Sequence, residues 1–234
     1  MNGALLAVHT SDAVGSVAVA AGEALVGHEF VSAGQAAPVV LQEILRALAA
    51  AGVTLAGCAG VAVTLGPGSF TGIRIGLATV QGLAAARGWP VFTVDSLLAF
   101  AAACPPAAAV RGVVFDARRG EVYAALYHQD GVAAGPRCVL AAFCAPVAAA
   151  AERLAQAAAG ADLVLAGSGA ALVQACAPLA RARVDAPVMP VAVALARLAR
   201  AGACRRTEPR GLEPVYLRKS DAELQRQSAG ERLA

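Results

Sequence analysis

Gly66, Pro67, Gly68, Ser69 and Thr71 stand where an apolar run ending in Val61, Ala62 and Val63 gives way to a helical pattern. A glycine turn at a helix N-terminus is where backbone amides collect around an anion. The glycines accept positive φ and Pro67 fixes its own, so the turn is tight, and Ser69 or Thr71 supplies the helix cap. A phosphate loop of the Walker type needs a lysine after its last glycine, and the chain's one lysine is Lys219, which excludes a P-loop kinase. The residues favour a structural turn that launches an interface helix over an anion site. Asp116, Arg118, Arg119 and Glu121 form the densest charged cluster of an apolar chain, spread over a strand end, a turn and the next strand start. Pairing across a hairpin is the plain reading, and a ligand contact in a cleft between lobes is the sharper one. Acid–base work by Asp116 and Glu121 has no nucleophile beside it.

Other chemistries lack their residues. His9, His28 and His128 fall in no H-E-x-x-H or H-x-x-x-H arrangement, which leaves zinc without ligands. Neither Ser69 nor Ser168 sits in G-x-S-x-G, the nucleophile turn of serine hydrolases. The six cysteines are scattered without a C-x-x-C pair and read as reduced filler. A net charge of +3 with a pI near 8.6 is too mild to announce a nucleic-acid binder. Basic residues are nonetheless uneven: Arg197, Arg200, Arg205, Arg206, Arg210, Arg218 and Lys219 crowd the C-terminal part. A solvated helix face and tail is favoured there over a phosphate-contacting surface.

The elements that must position these groups alternate between the two periodicities. Residues 5–8, 16–20 and 25–30 read as three successive strands, and Leu41, Ile44, Leu45 and Leu48 give a helix from about Pro38. After the glycine turn, Ile73, Leu77, Val80 and Ala84 give a second helix one apolar stripe, with Gly72 and Gly76 one turn apart on another flank. Glycine in a helix costs roughly 1 kcal/mol against alanine, so two on one flank imply that another backbone packs close. A strand follows at 91–94, and Asp95 or Ser96 caps a helix ending near Pro105. A second, similar unit reads as strands at 112–116, 121–128 and 137–140, a turn at Asp130 and Gly131, a helix at 146–158, a strand at 163–166, and helices at 170–176 and 191–201. The alanine–proline segment 103–109 is the expected hinge. Apolar residues make up 58% of the 234, much of it alanine, and the mean hydropathy is +0.63. The long uncharged stretch between Arg46 and Arg74 is broken by Gly, Thr, Ser and Pro and cannot be one spanning helix. No basic segment precedes the first apolar run, so no signal peptide or membrane attachment is expected and the cytoplasm is the default.

The wording of the central segment, GPGSFTG at 66–72 followed by IRIG at 73–76 and QGLA at 81–84, resembles the signature of the TsaB (YeaZ) family. Further pieces fall in that family's order: HTS at 9–11, VDSLLAFA at 94–101, DARRGEVYAALY at 116–127, GSG at 167–169 and EPVYLR at 213–218. The resemblance implies an α/β fold with two lobes of the actin-like, or ribonuclease-H-like, type, built of mixed sheets flanked by helices. The alanine–proline hinge sets the lobes at 1–104 and 105–217, and loss of periodicity makes 218–234 an expected frayed tail. The resemblance also implies a non-catalytic scaffold or activating subunit of the complex that installs threonylcarbamoyladenosine next to the anticodon of tRNAs reading codons that begin with A. The expected partners are a TsaD-like catalytic subunit, a TsaE-like ATPase and, through the complex, tRNA. ATP and metal are expected on the partners, and no cofactor on this chain.

In phosphate-handling members of the actin-like superfamily an acidic residue ends the first strand, and the family usually reads Asp-Thr-Ser there. This chain has His9, Thr10 and Ser11, and an imidazole cannot replace a carboxylate as a hard-oxygen ligand for magnesium. Packing or a hydrogen bond at the strand end is the expected role of His9. The family analogy places Leu41 and Leu45 of the first helix, and Thr71, Gly72, Arg74, Ile75, Gly76 and Thr79 of the second, at a four-helix contact with a partner. Gly66, Gly68, Ser69, Thr71, Asp116, Arg118 and Glu121 remain the candidate anion or ligand contacts. The alternatives are an actin-like kinase or a peptidase, or a stand-alone homodimer.

Overall fold

The computed structural model describes residues 3–31, 37–106, 110–128 and 135–218. The expected turn at Asp130 and Gly131, part of the expected hinge, and the segment beyond Arg218 lie outside them. The first sheet has six strands in the order β11-β5-β4-β1-β2-β3, and the second has five in the order β10-β9-β6-β7-β8. Their ranges are β1 Ala4–His9, β2 Val14–Ala21, β3 Ala24–Val31, β4 Cys58–Thr64, β5 Val91–Val94, β6 Val110–Arg118, β7 Glu121–His128, β8 Arg137–Pro146, β9 Leu163–Ala166, β10 Arg183–Asp185 and β11 Arg205–Thr207. The helices are α1 Ala37–Ala50, α2 Phe70–Arg87, α3 Ser96–Ala103, α4 Val147–Ala158, α5 Ala170–Gln174 and α6 Val191–Arg200. In both sheets two antiparallel hairpins adjoin a parallel pair, β1 with β4 and β6 with β9.

The molecule is layered. The outer face of the first sheet, with Leu6, Val8, Val17 and Val63, packs under α1 and α2 through Ile44, Leu48, Ile73, Leu77 and Val80. Its other face, with Leu5, Ala7 and Ala18, meets a central layer formed by α3 and α6. Val113, Phe115 and Ala125 of the second sheet cover the far side of that layer. The second sheet's outer face, with Val114, Ala124 and Leu126, packs on α4 through Ala150, Ala151 and Leu154. Strand β1 is buried along its whole length, which is why it reads as a continuous apolar run and not an alternating one. Helix α6 buries nearly every residue from Val191 to Ala199. Ala192, Ala194, Ala196 and Ala199 let α6 lie close between the sheets, while Leu195 of α6 and Leu97 and Phe100 of α3 fill the rest of the layer.

The two central helices are exchanged between the sheets. Helix α3 follows β5 of the first sheet yet also packs on β6 and β7 of the second, while α6 follows β10 of the second and packs on β1 and β2 of the first. Strand β11 then joins the first sheet antiparallel to β5. The segment 105–217 therefore supplies a helix and an edge strand to the first lobe. Strands β10 and β11 escape the sequence pattern because three residues carry no periodicity.

Candidate functional site

The glycine turn closes over the carboxyl ends of β1 and β4. Ser69 caps α2, its hydroxyl accepting from the Gly72 amide at 3.2 Å, and Asp95 caps α3 by accepting from Leu97 and Leu98 at 2.7 and 3.1 Å. Gly66 and Gly68 adopt φ of +109° and +151°, and a Cβ at Gly68 would fall on the Ser11 carbonyl oxygen. Beneath the turn lies a buried polar chain. His9 Nδ1 meets Thr64 Oγ1 at 3.1 Å, Thr64 Oγ1 meets Ser11 Oγ at 3.0 Å, and Ser96 Oγ donates to Ser11 Oγ at 2.8 Å. The Gly66 amide donates to Ser96 Oγ at 3.0 Å. His9 thus makes the strand-end hydrogen bond expected of it. Its Nε2 has no hydrogen-bond partner among the described residues, and burial lowers its pKa to about 4, so at neutral pH the ring is uncharged.

Gly72 and Gly76 correct the sequence reading. Both are buried, and a Cβ would fall on the Thr10 carbonyl oxygen at Gly72 and on the Thr10 hydroxyl at Gly76. Thr10 also donates to the Gly72 carbonyl at 2.7 Å. The small flank of α2 therefore seats the helix on the end of the chain's own β1, and the backbone that the glycines admit is internal. The other expected contact residues face outward or partly so: Leu41 and Leu45 on α1 are 40% and 52% exposed, Thr71 and Arg74 are exposed, and Ile75 and Thr79 are half-buried.

A cleft of 470 Å³ opens between the two sheets, lined in part by Ser11, Asp12, Gly68, Ser69, Thr71, Asp116, Arg118, Tyr123, Ser168 and Arg218. It brings the glycine turn and the 116–121 cluster together, with Gly66 behind the turn and Glu121 reached through Arg218. In the hairpin, Asp116 Oδ1 accepts from the Arg118 amide at 2.7 Å and Oδ2 pairs with the Arg118 guanidinium at 3.4 Å. Arg118 and Arg119 both adopt positive φ, 65° and 57°, a conformation costly for side chains larger than glycine. Burial pushes the Asp12 carboxyl above its usual range, against the opposing pull of the Ala13 amide, Ser168 and Arg118. The Ser168 hydroxyl accepts from the Asp116 amide at 3.2 Å, which gives the GSG segment its place at the cleft floor.

The segment 212–218 is a strap across this cleft. Leu212 is buried beside α2, the Val215 amide donates to the Leu65 carbonyl at 2.8 Å, and Tyr216 stacks on Phe70 with ring centres 5.1 Å apart. Arg74 donates to the Tyr216 hydroxyl at 2.8 Å and lies 3.8 Å from the Phe70 ring centre. On the other side, Arg218 donates to the Ala117 carbonyl at 2.8 Å and to Glu121 at 3.1 Å. The expected tail therefore begins one residue too early, since Arg218 is anchored. Glu121 pairs with Arg218, a contact across 97 residues that no spacing reveals. His28 is bound to the buried Glu43 of α1 at 2.7 Å. No group of three His, Cys, Asp or Glu with metal-binding geometry occurs among the described residues, and no described helix is long and apolar enough to cross a membrane.

A family model described as TsaD, tRNA N6-adenosine threonylcarbamoyltransferase, matches residues 35–224. A crystal structure of a Pseudomonas aeruginosa protein with similarity to peptidase YeaZ is 30% identical, with a TM-score of 0.77, covering 92% of this chain and 100% of that one. The chain belongs to this family, as a member of the TsaB (YeaZ) type. YeaZ from Pseudomonas aeruginosa is 28% identical at a TM-score of 0.72, with the same coverage. The Escherichia coli tRNA threonylcarbamoyladenosine biosynthesis protein TsaB is 39% identical over 93 residues, covering 39% of this chain and 40% of that protein. The chain thus spans about 40% of the length of that curated relative. The two-lobed α/β architecture, two mixed sheets flanked by helices, is the actin-like fold that this TsaB type shares.

Proposed function

We propose that this TsaB-type chain is a non-catalytic subunit that activates a TsaD-type transferase, which carries a threonylcarbamoyl group to an adenosine of tRNA. The observation that carries the reading is the uncovered apolar strip on α1 and α2, where Leu41 and Leu45 stay 40% and 52% exposed beside the packed core. Ile75, Ala78 and Thr79 extend it along α2 with small or half-buried side chains, a shape that admits two further helices at close range. Large apolar side chains left in water on adjacent helices favour a surface that another protein covers. The cleft supports the division of labour. A neutral, buried His9 ends β1, and a neutral imidazole offers magnesium and a triphosphate neither charge nor oxygen. In this reading ATP and metal act on the TsaD-type and TsaE-type partners, and the cytoplasm is where the assembly works.

Co-purification of the chain with a TsaD-type partner tests the surface, and tRNA modification with and without the chain tests activation. The expected result is a stable heterodimer and modification that depends on the chain. Leu45→Glu is expected to abolish association while leaving the melting temperature within about 2 °C, since the side chain is solvated in the free chain. Equal modification rates in the absence of the chain overturn the reading. Self-association through the same strip in place of heterodimer formation would assign it to a second copy.

A further inference from the structure

The cleft and the helical strip leave one strongly charged surface unused. Arg87 in the last turn of α2, Arg197 and Arg200 near the end of α6, Arg205 and Arg206 on β11, and Arg210 just beyond are all exposed. Arg206 and Arg210 line a groove of 440 Å³ beside Trp89 and Pro90, ahead of β5. Arg200 lines a second groove with Gly3 and Gly57, ahead of β1 and β4. These residues therefore mark the amino ends of the parallel strands and the β11 edge, while the cleft occupies the carboxyl ends. None of the six forms an ion pair with a carboxylate among the described residues, and Glu208 is the only acid within 84–90 and 197–212. That surface carries five net positive charges where the whole chain carries three, so the rest of the chain is net negative. A helix C-terminus attracts cations and accounts for Arg87 and Arg200, but Arg205, Arg206 and Arg210 belong to no α-helix.

We propose that this arginine edge is a docking surface for the phosphate backbone of an RNA. The inference rests on the tRNA-modification reading above and goes beyond it by giving this subunit its own contact with the polynucleotide. Guanidinium groups held apart on a strand, a turn and two helix ends suit phosphates spaced along a backbone, and they position the RNA without reading its bases. Charge segregated to one end also steers a polyanion there.

The test is fluorescence anisotropy with an unmodified tRNA transcript at a series of salt concentrations, for the full chain alone and bound to its TsaD-type partner. The double variant R206E/R210E is compared with R181E/R183E, which reverses two exposed arginines on and beside β10 of the other sheet. The expected result is that R206E/R210E weakens binding at least about 10-fold and flattens the salt dependence by roughly two phosphate contacts, with the control within about 2-fold of the parent chain. Thermal melts and partner association unchanged in both variants show that folding and the helical strip are intact. RNA affinity equal to the parent chain in R206E/R210E, alone and in the complex, overturns the proposal, as does an equal loss in the control. Failure of the parent chain to associate with the partner would instead reject the subunit reading.

Discussion

At the scale of single residues the site is governed by fit under the glycine turn. Gly68→Ala places a methyl group on the Ser11 carbonyl at a φ of +151°, and is expected to destabilise the chain by roughly 2 kcal/mol or more in denaturant unfolding. Gly76→Leu drives a branched side chain into Thr10, so it is expected to impair folding of the free chain and not merely association. His9 sets a pH dependence. Its ring ionises near 6.5 when unfolded but near 4 when buried, so between those values the unfolded chain binds the additional proton. Stability from this residue is full above pH 6.5 and declines by about 3 kcal/mol as pH falls toward 4. His9→Gln is expected to remove that slope from a series of urea unfolding curves across this range.

Among the elements, the strap links two parts that sequence keeps far apart. Tyr216 and Val215 hold it to the turn and α2, and Arg218 holds it to the 116–121 hairpin. Arg218→Ala removes charge-assisted bonds that are part-exposed, so the expected loss is about 1 kcal/mol. The local effect should be larger than the global one: limited proteolysis is expected to clip near residue 216 in the variant well before the core unfolds. Unchanged clipping would show that Tyr216 and Val215 hold the strap without Arg218. The Phe70, Arg74 and Tyr216 stack also stiffens the start of α2, next to the strip assigned to the partner.

On the scale of the whole molecule, the exchange of α3 and α6 makes each lobe depend on the other. A fragment of residues 1–106 retains β1–β5 but lacks α6 and β11, exposing Leu5, Ala7 and Ala18 on the inner face of its sheet. Such a fragment is expected to aggregate or to show no cooperative melt, whereas the full chain unfolds in one transition by circular dichroism. An independently folded fragment would show that the central layer contributes little to the first lobe. The same exchange gives the cleft walls from both sheets a shared foundation in α3 and α6.

Strong local signals carried much of this into the sequence. Helices α1, α2, α4 and α6 were legible from apolar spacing, and Ser69 and Asp95 as caps, because each depends on residues within a turn or two. The glycine turn was legible because positive φ selects glycine wherever it is required. The proximity of the turn to the 116–121 cluster was not legible, because the spacing of those residues does not contain it. Burial of Gly72 and Gly76 against Thr10 was invisible, since a glycine flank records that something approaches closely but not whether it is the same chain. The Glu121–Arg218 pair, the His28–Glu43 pair and the edge strand β11 likewise join segments with no periodic relation. Local backbone preference wrote the elements and their ends, while burial between two sheets decided which charges meet and which surfaces stay open.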